Sequence, residues 1–546
     1  MSAAVCTLTY LPDGAQQPVT LTGTENGDVQ LLVADTGERR TVTLTARRPV
    51  RLLDYRESGL PFLPAQGEAD DLYFMNGYQS WTDTREVFRT ETERNVYALP
   101  RPVVDRFALD RYGDASFYPY DKRFLHGYDV FYVKGRGGVF LFSLNRRFAY
   151  LVVSLERAGG RVTLISDAAG ACLGAGDSFV LCDYVYRPSY EEGLRAFYDC
   201  FPKRPVKKLF GYTSWYNYYQ KIDQSILLRD LDALDGRFDL FQIDDGYETF
   251  VGDWLDVDPA KFPDGLAPLV ERIHGKGLLA GIWLAPFVAE AKSRLFAEKP
   301  GWFCADEAGR PVRCGSNWSG FYALDLENEE VRAYIRQCLT HYAQMGFDFF
   351  KLDFLYAANL PRYPGKTRCQ AAEEAYALLR DMLGDKLILG CGATLWNAAG
   401  RFDYLRVGPD VSLRFDDVWY MRRMHRERIS TRVTLQNTVY RSFMDGALFG
   451  NDPDVFLLRE ENLHLSPAQK QALITLNALF GSVMMTSDNL AEYAPAQQAA
   501  LARALDLFAR ARVTGFARRG RTLAVTYTLD GKECSLTYDT KRGVLL

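Results

Sequence analysis

Gly346-Phe347-Asp348-Phe349-Phe350-Lys351-Leu352-Asp353-Phe354 is an apolar run that delivers one carboxylate to its C-terminal tip. Lys351, two residues before Asp353, projects from the same face of such a strand. In a parallel barrel the strand tips are where catalytic groups gather. On both sides of this run, apolar stretches alternate with helical patterns, the signature of βα units. Candidate strands fall at 208–215, 240–245, 278–286, 347–353, 387–392, 404–408, 445–449 and 482–487, with helical patterns clearest at 327–344 and 367–384. Eight such units predict a central (β/α)8 TIM barrel.

The flanks read differently. Residues 1–200 are short alternating runs such as Val29–Val33, Val139–Leu144 and Arg161–Ile165, broken by turns such as Gly174-Ala175-Gly176-Asp177. That texture predicts an N-terminal β-sandwich. After a helix near 496–511, the runs 522–527 and 533–538 predict a small C-terminal antiparallel β domain. The expected domains are 1–200, 201–490 and 491–546, a multidomain α/β plus β protein whose 546 residues exceed one ordinary core.

Composition excludes several classes. A net charge of −4 gives no electrostatic reason to expect nucleic acid or an anionic membrane as a partner. No stretch of apolar residues is long enough to span a bilayer, and the first residues show no basic segment followed by an apolar one. Ten cysteines without a CxxC pair suit reduced thiols, and a cytoplasmic location is expected. The five histidines (His126, His274, His341, His425, His464) lack metal-ligand spacing, which argues against a zinc enzyme. Aromatics at 14% lean towards carbohydrate, because aromatic faces stack on the C–H faces of sugars.

Asp353 needs a second carboxyl to do glycosidic chemistry, and Arg406-Val407-Gly408-Pro409-Asp410 supplies one near the end of the sixth strand. A covalent, retaining mechanism requires the two at about 5–5.5 Å. A lysine beside Asp353 is expected to keep it ionised. The competing reading makes Lys351 and Asp353 a structural ion pair and Asp410 a helix N-cap. Asp244-Asp245 end the second strand and could accept hydrogen bonds from two neighbouring sugar hydroxyls. They could instead hold magnesium, but the acids that would complete such a site stand beside Lys351 and Arg406. Trp215 and Trp283, near two further strand ends, could form a stacking wall for a pyranose. Cys391 lies between Gly390 and Gly392 as a pocket residue or a buried small one. Arg406 could bind substrate or orient Asp410. The polar, aromatic segment Asn76-Gly77-Tyr78-Gln79-Ser80-Trp81 could reach over the barrel mouth, or pack as a local turn.

These residues together resemble the α-galactosidases of glycoside hydrolase family 36, in the same clan as family 27. The resemblance rests on Gly211–Tyr216, Phe241–Tyr247, Val251–Leu255, Gly281–Phe287, Phe350–Phe354, Leu389–Gly392, Arg406–Asp410 and Asn451–Asp454, in the family's order, with Asn76–Trp81 ahead of them. It implies a retaining exo-acting enzyme that removes terminal α-linked galactose, with Asp353 as nucleophile and Asp410 as general acid/base. It also implies that Asp244 and Asp245 hold the 4- and 6-hydroxyls, and that Lys351, Trp283, Cys391, Arg406 and Trp81 complete the pocket. No metal or organic cofactor is implied, and the chain's length suggests a monomer. The sequence departs from the family at Ala393-Thr394-Leu395-Trp396, close to where the sugar's C2 substituent should lie. That leaves an α-N-acetylgalactosaminidase or a galactosyl transferase as alternatives on the same scaffold. A metal-dependent barrel enzyme and a sugar-binding protein without catalysis are readings of other classes.

Overall fold

The computed structural model describes residues 4–63, 66–92, 96, 99–112, 121–135, 137–419, 421–423 and 428–546. His425 and the first three residues lie outside the described residues. The N-terminal part is a sandwich of two seven-stranded sheets. One is built around Val5–Pro12, Val50–Ser58 and Val162–Ser166; the other runs from Val29–Asp35 to Arg85–Val87. Strand Arg39–Ala46 shows why: its residues alternate between exposed or half-buried and buried, so one face feeds the core. The Gly174–Asp177 break is a turn in which Asp177 accepts from the Gly174 N–H. Inside this core Arg40 Nε donates to the fully buried Glu57 at 2.8 Å.

The barrel is a parallel sheet of nine strand segments that occupies eight positions. In ring order these are Leu209–Thr213, Leu240–Ile243, Leu279–Leu284, Phe349–Leu352, Leu387–Gly390, Tyr404–Arg406, an interrupted seventh strand, and Val483–Thr486. Most are buried on both faces, which is why they read as continuous apolar runs. Helices Glu329–Met345 and Arg368–Leu383 match the two clearest helical patterns. The expected seventh strand at 445–449 is a correction. Those residues form a turn, and the strand is Gly450–Asp452 followed, after a break, by Val455–Phe456. It is polar because its buried side chains hydrogen-bond rather than pack: Asn451 Nδ2 donates to the Arg441 carbonyl at 3.1 Å and Asp452 takes Arg406 Nε at 2.9 Å. A small antiparallel sheet from Arg512–Arg519 to Val544–Leu545 follows helix Pro495–Arg510. One apolar core runs from Phe74 and Phe140 of the sandwich through the barrel to Val525 and Tyr538. Among the described residues, no helix is long and apolar enough to cross a membrane.

The sandwich meets the barrel through Arg441, which is fully buried. Its guanidinium donates to the carbonyls of Ser80 (2.6 Å), Gln79 (3.1 Å) and Thr82 (3.3 Å) and to that of Val407 (2.7 Å) beneath the sixth strand tip. Asn437, one helical turn earlier, accepts from the Thr84 N–H and donates to the Thr82 carbonyl. Loop 76–84 is therefore fastened to the barrel from below. Arg441→Met keeps the stem of the side chain and strands these carbonyls. It is expected to cost about 3 kcal/mol or more, read as a lowered Tm or urea midpoint.

Candidate active site

The tip of the fourth barrel strand is made by local signals. Gly346, at φ 109°, ends helix Glu329–Met345 in a left-handed cap, and Phe349–Leu352 then pairs between Leu279–Leu284 and Leu387–Gly390. The Asp353 N–H still reaches the Leu284 carbonyl at 2.8 Å, and Phe354, at φ 53°, turns the chain sharply away. The Asp353 carboxylate is held at both oxygens: Phe354 N–H donates to Oδ1 at 2.8 Å and Trp283 Nε1 to Oδ2 at 3.0 Å. Burial pushes this carboxyl above its ordinary range, and Asp410 adds to the shift, while Lys351, Trp283 and the Phe354 N–H oppose it. The Lys351 field favours the ionised form, while burial sets the direction of the net shift. The Lys351–Asp353 ion pair is not found; Lys351 Nζ instead donates to Asp244 Oδ2 at 2.8 Å. Burial works against the Lys351 charge, yet Asp244, with Asp353 and Cys391 adding to it, outweighs burial and the ammonium is held charged.

The second acid sits on a looser limb. Asp410 leaves the sixth strand four residues after Arg406, and its side chain is 31% exposed. It is not an α-helix cap; the next α-helix, Thr431–Tyr440, is capped by Ser430. Arg406 is buried between three carboxylates: Nη1 meets Asp410 Oδ1 at 3.0 Å, Nε meets Asp452 Oδ2 at 2.9 Å, and Nη2 meets Asp454 Oδ1 at 2.9 Å.

Asp244 and Asp245 are buried at the second strand tip. Besides Lys351, Asp244 Oδ2 accepts from Gln242 Nε2 (2.7 Å) and Thr213 Oγ1 (3.2 Å). Asp245 accepts from Gln220 Nε2 (3.1 Å) and Trp318 Nε1 (2.9 Å). Burial and then the neighbouring Asp245 push the Glu248 carboxyl well above its ordinary range. A cation would have to displace the Lys351 ammonium from Asp244. Among the described residues no cluster of three His, Cys, Asp or Glu side chains is arranged to hold a metal.

Asp353 and Asp410 line one cavity of about 520 Å³, together with Trp81, Trp215, Tyr216 and Phe354. Trp81 arrives from the sandwich loop. Its Nε1 lies 3.3 Å from Cys391 Sγ, and its ring packs so closely on Gly392 that a Cβ there would lie 3.0 Å from it. The next residue is pinned to the same loop: Ser80 N–H donates to the Ala393 carbonyl at 2.9 Å, and Ala393 N–H to Ser80 Oγ at 3.2 Å. Trp215 stands edge-on to Tyr219 at 5.1 Å. Trp283 is buried, as are Asp244 and Asp245, and its N–H is spent on Asp353.

Sequence reasoning missed Tyr216, Glu248, Trp318 and the role of Asp454. One physical sign marks two of them, Trp318 and Asp454, along with two neighbours. Tyr219, Trp318, Phe354 and Asp454 are non-glycine residues at φ between 51° and 71°, a strained backbone that collects at functional sites.

Residues 213–386 match the Melibiase family. An α-galactosidase from Thermus thermophilus, solved in complex with p-nitrophenyl α-D-galactopyranoside, superposes with a TM-score of 0.71 at 29% identity, over 92% of this chain and 98% of that one. The A type blood α-D-galactosamine galactosaminidase of Flavonifractor plautii is 28% identical over 35% of this chain and 19% of its own length. The probable α-galactosidase G of Aspergillus terreus is 28% identical over 38% of this chain and 29% of its own. The chain thus spans less than a third of the length of these two relatives.

Proposed function

We propose that this melibiase-like glycoside hydrolase, of the family 36 type, removes terminal α-linked galactose by double displacement through a covalent glycosyl-enzyme. The observation that carries the reading is the asymmetry of two carboxyls facing one cavity. Asp353 is buried and held at both oxygens, as a group that must attack along one line requires. Asp410 is partly open to solvent and held through Arg406, as suits a group that must exchange protons with leaving group and water. In the first step Asp353 attacks the anomeric carbon while Asp410 protonates the departing oxygen. In the second, Asp410 takes a proton from water as that water displaces Asp353. Asp244 and Asp245 accept from the 4- and 6-hydroxyls, and Lys351 has donors left after its bond to Asp244. Trp81 packs on Cys391 and Gly392, beside the loop where the sugar's C2 substituent is expected, and by narrowing that side favours galactose over N-acetylgalactosamine. Ten free thiols suit a cytoplasmic location.

The test is release of nitrophenolate from p-nitrophenyl α-D-galactopyranoside in the presence of EDTA, with the N-acetylgalactosaminide in parallel. Early NMR spectra of the product should show α-galactose before mutarotation. β-Galactose first would establish inversion, and turnover of the N-acetyl substrate alone would move the reading to its alternative.

Because Asp353 must be ionised to attack, a carboxyl pushed upward places the acid limb of kcat/KM above the ordinary carboxylate range of about 4. Trp283→Phe removes a donor that favours the ionised form, so its acid limb is expected at still higher pH. A pH–rate profile of both proteins checks the direction.

A further inference from the structure

Behind Asp410 lies a carboxylate that takes no part in these steps. Asp454 is buried in the break of the seventh barrel strand, directly after Pro453, with its backbone at φ 71°. Both of its oxygens are engaged, one by hydrogen bonds and the other by charge alone. Oδ2 accepts from the Val411 N–H at 2.7 Å, the peptide immediately after Asp410, and from Tyr216 Oη–H at 2.5 Å. Oδ1 meets Arg406 Nη2 at 2.9 Å, while Nη1 of the same guanidinium reaches Asp410 at 3.0 Å. One carboxylate thus grips the acid's main chain and its side-chain partner together.

We propose that Asp454 is the positioning residue of the acid/base limb, fixing the Asp410 carboxyl for proton transfer to the leaving oxygen. The inference rests on the reading of Asp410 as general acid/base. Two observations favour it over a merely structural role. The first is strain: a left-handed aspartate disfavours folding, and strand pairing alone would be served better by an uninterrupted seventh strand. The second is charge. Arg406 is buried, and were Asp410 its one anionic partner it would hold that carboxylate as a closed ion pair. Asp452 and Asp454 take two of its faces, so Asp410 meets a guanidinium already compensated. Burial, with Asp410 and Asp452 adding to it, pushes the Asp454 carboxyl up to about 7 against Arg406 and the Tyr216 hydroxyl.

Asp454→Asn suits the test, because asparagine also tolerates the left-handed backbone while losing the charge. Wild type, Asp454→Asn and Asp410→Asn are compared on methyl α-D-galactopyranoside, whose leaving group needs a proton, and on the p-nitrophenyl galactoside, whose leaving group hardly does. General acid catalysis contributes about 10²–10⁴-fold, and misplacing the acid forfeits part of that. For Asp454→Asn, kcat/KM on the methyl galactoside is expected to fall about 30-fold, with less than about threefold change on the nitrophenyl substrate. Tyr216→Phe, which removes one of the three contacts, is expected to show the same selectivity at about threefold, and decides the matter should Asp454→Asn fail to fold. Equal losses on both substrates, or none, would overturn the proposal while leaving Asp410 in place. An Asp410→Asn protein with no dependence on leaving group would instead remove the reading on which it rests.

Discussion

Asp353→Ala is expected to lower kcat on every α-galactoside by about 10⁴-fold or more, about 5.5 kcal/mol of lost transition-state stabilisation. Removing the nucleophile leaves Asp410 and the hydroxyl-binding carboxylates in place, so substrate should still bind. The void beneath the sugar is then open to a small anion. Azide is expected to restore part of the rate on the nitrophenyl galactoside by attacking the anomeric carbon from the face that Asp353 occupied. One displacement inverts the centre, so the product is β-galactosyl azide. Unchanged turnover, or an α-configured azide, would show that Asp353 is not the nucleophile. The fold should survive the change. Asp353 makes its two bonds to a main-chain N–H and an indole N–H, and it is a buried carboxyl that burial disfavours in its charged form.

Asp410→Ala has the second largest expected effect, and its form differs. On an alkyl or sugar galactoside, kcat/KM should fall by about 10²–10⁴-fold, because the leaving oxygen departs unprotonated. On the nitrophenyl galactoside kcat/KM should move little, while kcat falls because water in the second step has lost its base. Azide, which needs no base, should then raise kcat and give α-galactosyl azide, two inversions having returned the original configuration. The two azide products together separate nucleophile from acid/base with one reagent. A uniform loss on all substrates without azide rescue would remove Asp410 from the role.

Much of this frame is legible from residues alone. Phe349–Leu352 is flanked by a capping glycine and a charged tip, and an apolar run of that length between a helix and a turn has few other fates. Gly450–Asp452 was misplaced because periodicity counts apolar side chains, while this strand is stabilised by buried polar ones whose partners lie elsewhere in the chain. The same blindness hid the true partner of Lys351. Asp353 is two residues away, yet the ammonium crosses the barrel to Asp244, 107 residues distant in sequence. Local spacing sets which face a side chain leaves from; only the closed ring decides what it meets. The reach of Asn76–Trp81 over the mouth could be suspected from its polarity. Its fastening by Arg441 could not, because one buried arginine that binds carbonyls leaves no pattern in the sequence around it.

That fastening has a consequence for how the protein matures. The Trp81–Cys391 contact joins residues 310 positions apart, and the sandwich-loop carbonyls taken by Arg441 are more than 350 positions from it. Contacts between such distant segments carry the largest loop-closure cost and form late. During synthesis the loop that walls the pocket exists long before the barrel that receives it. A chain whose barrel strands are already paired therefore has its acids in place but no closed site, and catalytic competence arrives as a docking event rather than as a property of the barrel.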